Sequence, residues 1–328
     1  MRSSVQSVRV PKYRGAVYHP AMSHDRTAGP VRTVHLLGMP QDYGQTLRGV
    51  DMGPSAMRVA GLEERLERIG VHVVDHGDVD CPVMATQSEG EPKLRFLPAV
   101  VDGSKLLAAE VHRVAGEGGF PLILGGDHSI SIGTLSGLGQ VERRQGLIWM
   151  DAHGDFNTPE TTPSGNIHGM ALAVALGHGD PRLTSIGGAF PKALEENTVL
   201  VGVRDLDRAE RDILKSTRVT VFTMRDIDEI GMRAVMERAI AIAGSGVKRV
   251  HLSFDIDFLT PDEAPGVGTP VAGGATFREA HLALEMLADS GILTSMEFVE
   301  VNPTLDLRNQ TSELAVGLVA SALGQRIY

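Results

Sequence analysis

The sequence predicts an α/β protein in which helices cover a parallel sheet of eight strands. Three observations point to it. Apolar, β-branched runs of strand length recur along the chain, segments of helical period lie between most of them, and polar clusters follow directly on five of the runs. Alternation of this kind gives strands that run the same way, because each helix carries the chain back across one face before the next strand begins. The pattern alone is compatible with a closed barrel or an open sheet.

In order, residues 33–37 (TVHLL) read as the first strand, 54–69 as the helix after it and 72–75 as the second strand. A helix over 99–115 leads to strand 121–124 (PLIL), closed by Gly125 and Gly126, which permit a sharp turn and a close backbone approach before His128. A helix over 129–143 precedes strand 146–150 (GLIWM), which runs into Asp151. Strands 198–203 and 219–223 follow, the first leaving through Arg204, Asp205 and Asp207, with Asp207 placed to cap a short helix at 208–214. Helix 232–243 precedes strand 250–254 (VHLSF), and helix 276–289 precedes strand 294–299, which ends at Glu300. An amphipathic helix over 312–323, with Thr311 or Ser312 as its expected cap, closes the chain.

No linker, repeat or low-complexity tract divides residues 31–328, which read as one domain. Residues 1–30 differ. The first 24 carry Arg2, Arg9, Lys12 and Arg14, several serines and no acid, the composition of a mitochondrial-type presequence; an over-extended start, with Met22 as the alternative terminus, is the simpler explanation, and a flexible appendage is the expectation. The formal net charge of −10 argues against general binding to nucleic acid or acidic membranes and suits a cationic ligand. No apolar stretch approaches bilayer length. The single cysteine, Cys81, makes a reducing cytoplasm the expected location and excludes a cysteine-based zinc site.

Three segments carry the chemistry: GGDHSI around His128, DAHGDFN with Asp151, His153 and Asp155, and SFDID with Asp255 and Asp257. Each closes an apolar run, and spacing by two points the members of a set to one side of their strand. Any one alone has an ordinary explanation as a turn, a helix cap or a polar strand end. Together, at the ends of strands where α/β proteins gather ligands, they describe a metal centre. Six ligands, four of them carboxylates, exceed the needs of one cation and would repel one another without positive charge between them. Two divalent ions sharing carboxylates satisfy the set, and Mn²⁺ suits a mixture of oxygen donors and imidazoles.

From about Val31 onward the chain resembles the ureohydrolases, and the arginase family most closely. The resemblance rests on GVDMGPSAMR (residues 49–58), the three metal segments, PSGNIHGM (163–170), APGVGTPVAGG (264–274) and EFVEVNP (297–303), in that order. It implies an open eight-stranded parallel sheet with helices on both faces, an architecture shared with deacetylases. It implies one Mn²⁺ held by His128, Asp151, Asp155 and Asp255 and a second by Asp151, His153, Asp255 and Asp257, with Asp151 and Asp255 bridging. The implied reaction is L-arginine plus water to L-ornithine plus urea, by attack on the guanidinium carbon of a hydroxide shared by the two ions. Guanidinium is a resonance-stabilised cation and a poor electrophile, so an acidified water and a proton for the leaving amine are both needed.

By the same resemblance His168 moves that proton, Glu300 pairs with the guanidinium, and Asp155 counts among the catalytic residues as well as the ligands. Asn157 and Ser164 meet the α-carboxylate, Asp207 meets the α-ammonium group, and Thr269 lines the pocket. A homotrimer or homohexamer is implied, with Arg278 and Glu279 in an inter-subunit salt bridge. One departure is Thr260, which stands where family members often carry an acid and removes one support of the loop after Asp257. His251 and His112 read as packing residues, and His35, His72, His76, His178 and His281 lack partners at ligand spacing. The alternatives are an agmatinase or other guanidino hydrolase, a deacetylase-like amidohydrolase with one zinc, and a non-catalytic protein that kept the fold.

Overall fold

The computed structural model describes residues 33–326; the expectation for residues 1–30 lies outside them. Strands β1 (Thr33–Met39), β2 (His72–Asp78), β3 (Pro121–Gly125), β4 (Gln145–Met150), β5 (Thr198–Val203), β6 (Thr220–Thr223), β7 (Arg249–Asp255) and β8 (Leu293–Val299) form one open sheet. Their order is β2-β1-β3-β8-β7-β4-β5-β6, and every neighbouring pair is parallel. All eight predicted runs are strands, and the choice left open by pattern falls to the open sheet.

Ten helices are described: α1 (Gly53–Val59), α2 (Leu62–Arg68), α3 (Leu97–Gly116), α4 (Ser131–Val141), α5 (Ala171–Ala175), α6 (Pro181–Thr184), α7 (Arg208–Leu214), α8 (Met224–Ala243), α9 (Phe277–Ser290) and α10 (Gln310–Ala322). They cover both faces. Leu122, Ile148, Leu252 and Phe298 pack with Met57, Leu66, Met236, Leu284 and Leu318 on one face. On the other, Ile123, Leu147, Trp149 and Val299 pack with Leu107, Leu135 and Leu172. Burial on both faces explains why the strands read as unbroken apolar runs. Among the described residues no helix is long and apolar enough to cross a membrane.

Four expected helices differ in detail. The segment 54–69 is two helices, α1 and α2, because Gly61 sits at φ 82° and starts the second. A 3-10 turn at His128–Ile130 precedes α4, and the Asp127 carboxylate caps it by accepting the Ser129 N–H at 2.9 Å. Helix α8 starts at Met224, not Met232: Thr223 and Asp226 cap it reciprocally, and it kinks at Gly231, whose φ 82° and ψ 151° are not helical. The cap of α10 is Asn309, at φ 66°, and not Thr311 or Ser312. Thr311 is inside the helix, where its N–H and hydroxyl bind Asp306 at 2.9 and 2.8 Å. In α9 the Glu279 carboxylate accepts from the N–H and hydroxyl of Thr276, both at 2.9 Å, so its acid is used within the chain's own cap.

Candidate metal centre

The four central strands, β3, β8, β7 and β4, are the ones that exit into His128, Glu300, Asp255 and Asp151. Topology therefore brings segments far apart in sequence to one crevice at the carboxyl ends of the strands. Gly126 is needed there: a Cβ would lie 2.2 Å from the Gln41 carbonyl oxygen. Asp155 (φ 48°) and Glu300 (φ 66°) both adopt left-handed backbone, a conformation that costs a non-glycine residue about 1 kcal/mol or more. Two residues of one site share that cost.

His128 Nδ1 lies 3.1 Å from Asp151 Oδ2, 3.0 Å from Asp155 Oδ2 and 3.1 Å from Asp255 Oδ2. His153 Nδ1 lies 3.4 Å from Asp151 Oδ1 and 3.0 Å from Asp257 Oδ2. Asp151 thus presents one oxygen to each imidazole. Among the described residues two groups of donor atoms are close enough to hold an ion, His128 with Asp151 and Asp255, and Asp151 with His153 and Asp257. Asp255 presents Oδ2 to the first group, while its Oδ1 accepts the Asp257 N–H at 2.8 Å. Trp149 fixes the arrangement: its ring stacks on His128 with centroids 4.2 Å apart, and its Nε1–H donates to Asp151 Oδ2 at 2.9 Å.

Electrostatics favour a cation between these groups. Burial and the neighbouring Asp257 and Asp151 push the Asp255 carboxyl well above its ordinary value, and burial with Asp151 raises Asp155. Burial alone would lower the two imidazoles, yet Asp155, Asp151 and Asp255 hold His128 up and Asp257 and Asp151 hold His153 up. Protons on imidazole occupy the place of positive charge. Asp155 Oδ2 is buried and makes no hydrogen bond of good geometry. A donor set of carboxylates and imidazoles, with repulsion to relieve and an oxygen without a donor, fits divalent metal.

Above this set lies a cleft of about 150 Å³ lined by His153, Asp155, Asn157, Ser164, His168, Asp207, Asp255 and Thr269, among others. All of the residues expected to contact substrate except Glu300 line it. Glu300 is buried behind His168: its Oε1 accepts from the His128 N–H at 2.8 Å and faces His168 Nδ1 at 3.2 Å, and its Oε2 accepts from Gln45 Nε2 at 2.8 Å. Burial, which would lower the His168 pKa, is outweighed by Glu300, so the imidazole is raised. Asn157 Nδ2 donates to Asp207 Oδ2 at 3.0 Å, and Thr269 Oγ1 donates to Asp257 Oδ2 at 3.2 Å. Asp207 is also the N-cap of α7, so its capping and cleft-facing roles coexist.

Beside Trp149, sequence reasoning missed four further supports. Gln45 comes from the exit of β1. Glu210 accepts from the Phe156 and Asp207 N–H groups at 2.8 and 3.0 Å, and burial raises its carboxyl to about 7; its spacing of three from Asp207 is a readable capping signal. Arg204 clamps the loop after Asp257 by donating to the carbonyls of Asp257 (2.6 Å), Leu259 (3.1 Å) and Val271 (2.8 Å), and Thr260 adds its N–H to Ala275 O at 2.9 Å. The acid replaced by Thr260 is therefore not the sole support of that loop. The fourth is His251, read as a packing residue, which is hydrogen-bonded to Ser295 at 2.9 Å and stands 3.4 Å from Glu297.

A model of the arginase family matches residues 32–324. An arginase of Bacillus caldovelox is 52% identical over 298 residues, covering 90% of this chain and all of that one. An arginase of Bacillus subtilis is 51% identical over 296 residues, covering 90% of this chain and 99% of its own length. The solved Bacillus caldovelox arginase superposes with a TM-score of 0.88 at 52% identity, covering 91% of this chain and 100% of its own. Entamoeba histolytica arginase, solved in complex with L-ornithine, superposes with a TM-score of 0.83 at 32% identity, covering 90% and 100%.

Proposed function

The chain belongs to the arginase family, and from that premise we propose that it hydrolyses L-arginine to L-ornithine and urea at the cleft above the carboxylate–imidazole cluster. The observation that carries the reading is Asp151, which offers one oxygen to each of two imidazole groups and so joins two metal positions into one centre. His128, Asp151, Asp155 and Asp255 would hold one ion, and Asp151, His153, Asp255 and Asp257 the other. Mn²⁺ is the ion we assign, on the balance of four carboxylates against two imidazoles. When bound, the pair of cations supplies a water acidified enough to act as a nucleophile near neutral pH.

The remaining steps belong to side chains. Glu300, held from three sides behind His168, would supply the negative charge that pairs with the planar guanidinium, and its contact with Nδ1 of His168 leaves Nε2 to deliver a proton to the leaving amine. Asn157 and Ser164 receive the α-carboxylate and Asp207 the α-ammonium group at the mouth of the cleft. An agmatinase would leave the first pair idle, since its substrate has no α-carboxylate. We also expect a homotrimer or homohexamer, to be read by analytical ultracentrifugation. Metal analysis of the purified protein, followed by chelation and reloading with Mn²⁺, tests the centre: two ions per chain and recovery of urea formation support it, and urea formation that survives complete chelation removes it.

A further inference from the structure

Beneath the cleft, polar side chains run along the seam of β7 and β8, in a region otherwise filled with apolar packing. Ser253 pairs in register with Glu297 and His251 with Ser295, and all four are buried. Glu297 Oε1 accepts from the Ser253 hydroxyl at 2.8 Å and the Ser131 hydroxyl at 2.5 Å, with His251 Nε2 at 3.4 Å. Ser253 Oγ in turn lies 2.8 Å from His128 Nε2.

We propose that Glu297 is a positioning residue for the metal centre: acting through Ser253, it fixes the hydrogen of His128 on Nε2 and leaves the Nδ1 lone pair for the ion. This rests on the reading of His128 as a ligand. The reasoning is a count of hydrogens. A serine hydroxyl has one hydrogen and two acceptor sites. Facing an ionised carboxylate on one side, Ser253 spends that hydrogen on Glu297, because turning it away would set two lone pairs against each other. Ser253 then accepts on its other side, so His128 Nε2 must carry hydrogen. His128 Nδ1 is the nitrogen that faces Asp151, Asp155 and Asp255. Burial would raise the Glu297 carboxyl, yet His251 and Ser131 hold it down at about 2, so it is ionised at working pH. Outer partners of this kind typically change metal affinity by about 10- to 100-fold.

The first test uses wild-type protein, labelled with ¹⁵N-histidine and loaded with Zn²⁺ as a diamagnetic probe. A slowly exchanging imidazole N–H assigned to Nε2 of His128 is expected; hydrogen on Nδ1 overturns the inference while leaving metal binding intact, and no uptake of Zn²⁺ or Mn²⁺ overturns both it and the metal centre. The second test measures Mn²⁺ affinity by chelator competition for Ser253→Ala, Glu297→Gln and the double variant, with circular dichroism as the check of fold. Ser253→Ala should weaken one of the two ions by about 10-fold or more and the other by less than about threefold, and the double variant should be no weaker than Ser253→Ala, because Glu297 acts only through Ser253. Equal weakening of both ions, or losses that multiply in the double variant, overturns the proposal.

Discussion

Replacing His168 and Asp207 in turn should separate catalysis from recognition. His168→Asn should leave two Mn²⁺ per chain bound and lower turnover by about 10²-fold or more, the ordinary yield of a positioned acid; metal analysis beside steady-state kinetics reads both, and unchanged turnover removes His168 from the chemistry. Asp207→Ala should raise KM for L-arginine by about tenfold, the scale of a hydrogen bond to a charged group. The same variant at a saturating metal level should raise KM for agmatine no more than for L-arginine. The carboxylates and imidazoles that meet in the crevice were legible in the sequence as three short polar clusters closing apolar runs, but not by strand alternation, because Asp151, His153, Asp155 and Asp257 lie beyond the ends of their strands and are aimed by loop backbone. Gln45, Trp149 and Glu297 were not. Gln45 reaches Glu300 from a loop far away in sequence, Trp149 stacks on His128 as well as binding Asp151, and the register that brings Glu297 beside Ser253 is written in no local pattern.

Elements were legible to within a turn where periodicity and burial agreed, and were misjudged where one residue's backbone overrode the pattern. The apolar positions of 54–69 keep helical spacing across Gly61, so periodicity alone reads one helix; the left-handed φ of 82° divides it. Gly231 makes the same point more sharply. Its φ 82° and ψ 151° lie in a region open almost only to glycine, and a Cβ there would meet no atom within 4 Å. Gly231→Ala should therefore destabilise through backbone conformation alone, by about 1–3 kcal/mol, lowering Tm by a few degrees for a chain of this size. Calorimetry of the metal-loaded protein reads it, and an unchanged Tm would mean that α8 straightens freely through its kink.

For the whole molecule, the buried carboxylates and imidazoles link metal binding to stability and pH. Without metal, His128, His153, Asp155 and Asp255 are all raised in the folded protein, and Asp127 is pushed to about 7 by burial and Glu300, so the folded state holds protons that the unfolded chain releases. The stability contributed by the imidazoles is fully present below about 6.5, the ordinary histidine value, and is lost as pH rises through their raised values. The raised carboxylates act in the same sense, becoming a liability above their ordinary range near 4. Asp151, lowered by His128 and His153 against its burial, and Glu297, lowered by His251 and Ser131, work in reverse, adding stability that is lost as pH falls through their depressed values. Chelated protein should therefore lose Tm between about pH 6 and 9 while metal-loaded protein, with protons displaced by ions, holds its Tm; parallel curves would place the protons elsewhere. The open eight-stranded sheet is what brings these charges together, since its four central strands converge on one crevice. The most direct measurement on that crevice is urea release by Mn²⁺-loaded protein from L-arginine, agmatine and 4-guanidinobutyrate side by side. Preference for L-arginine is the expected result, whereas preference for either analogue, or no urea from any of the three, would contradict it.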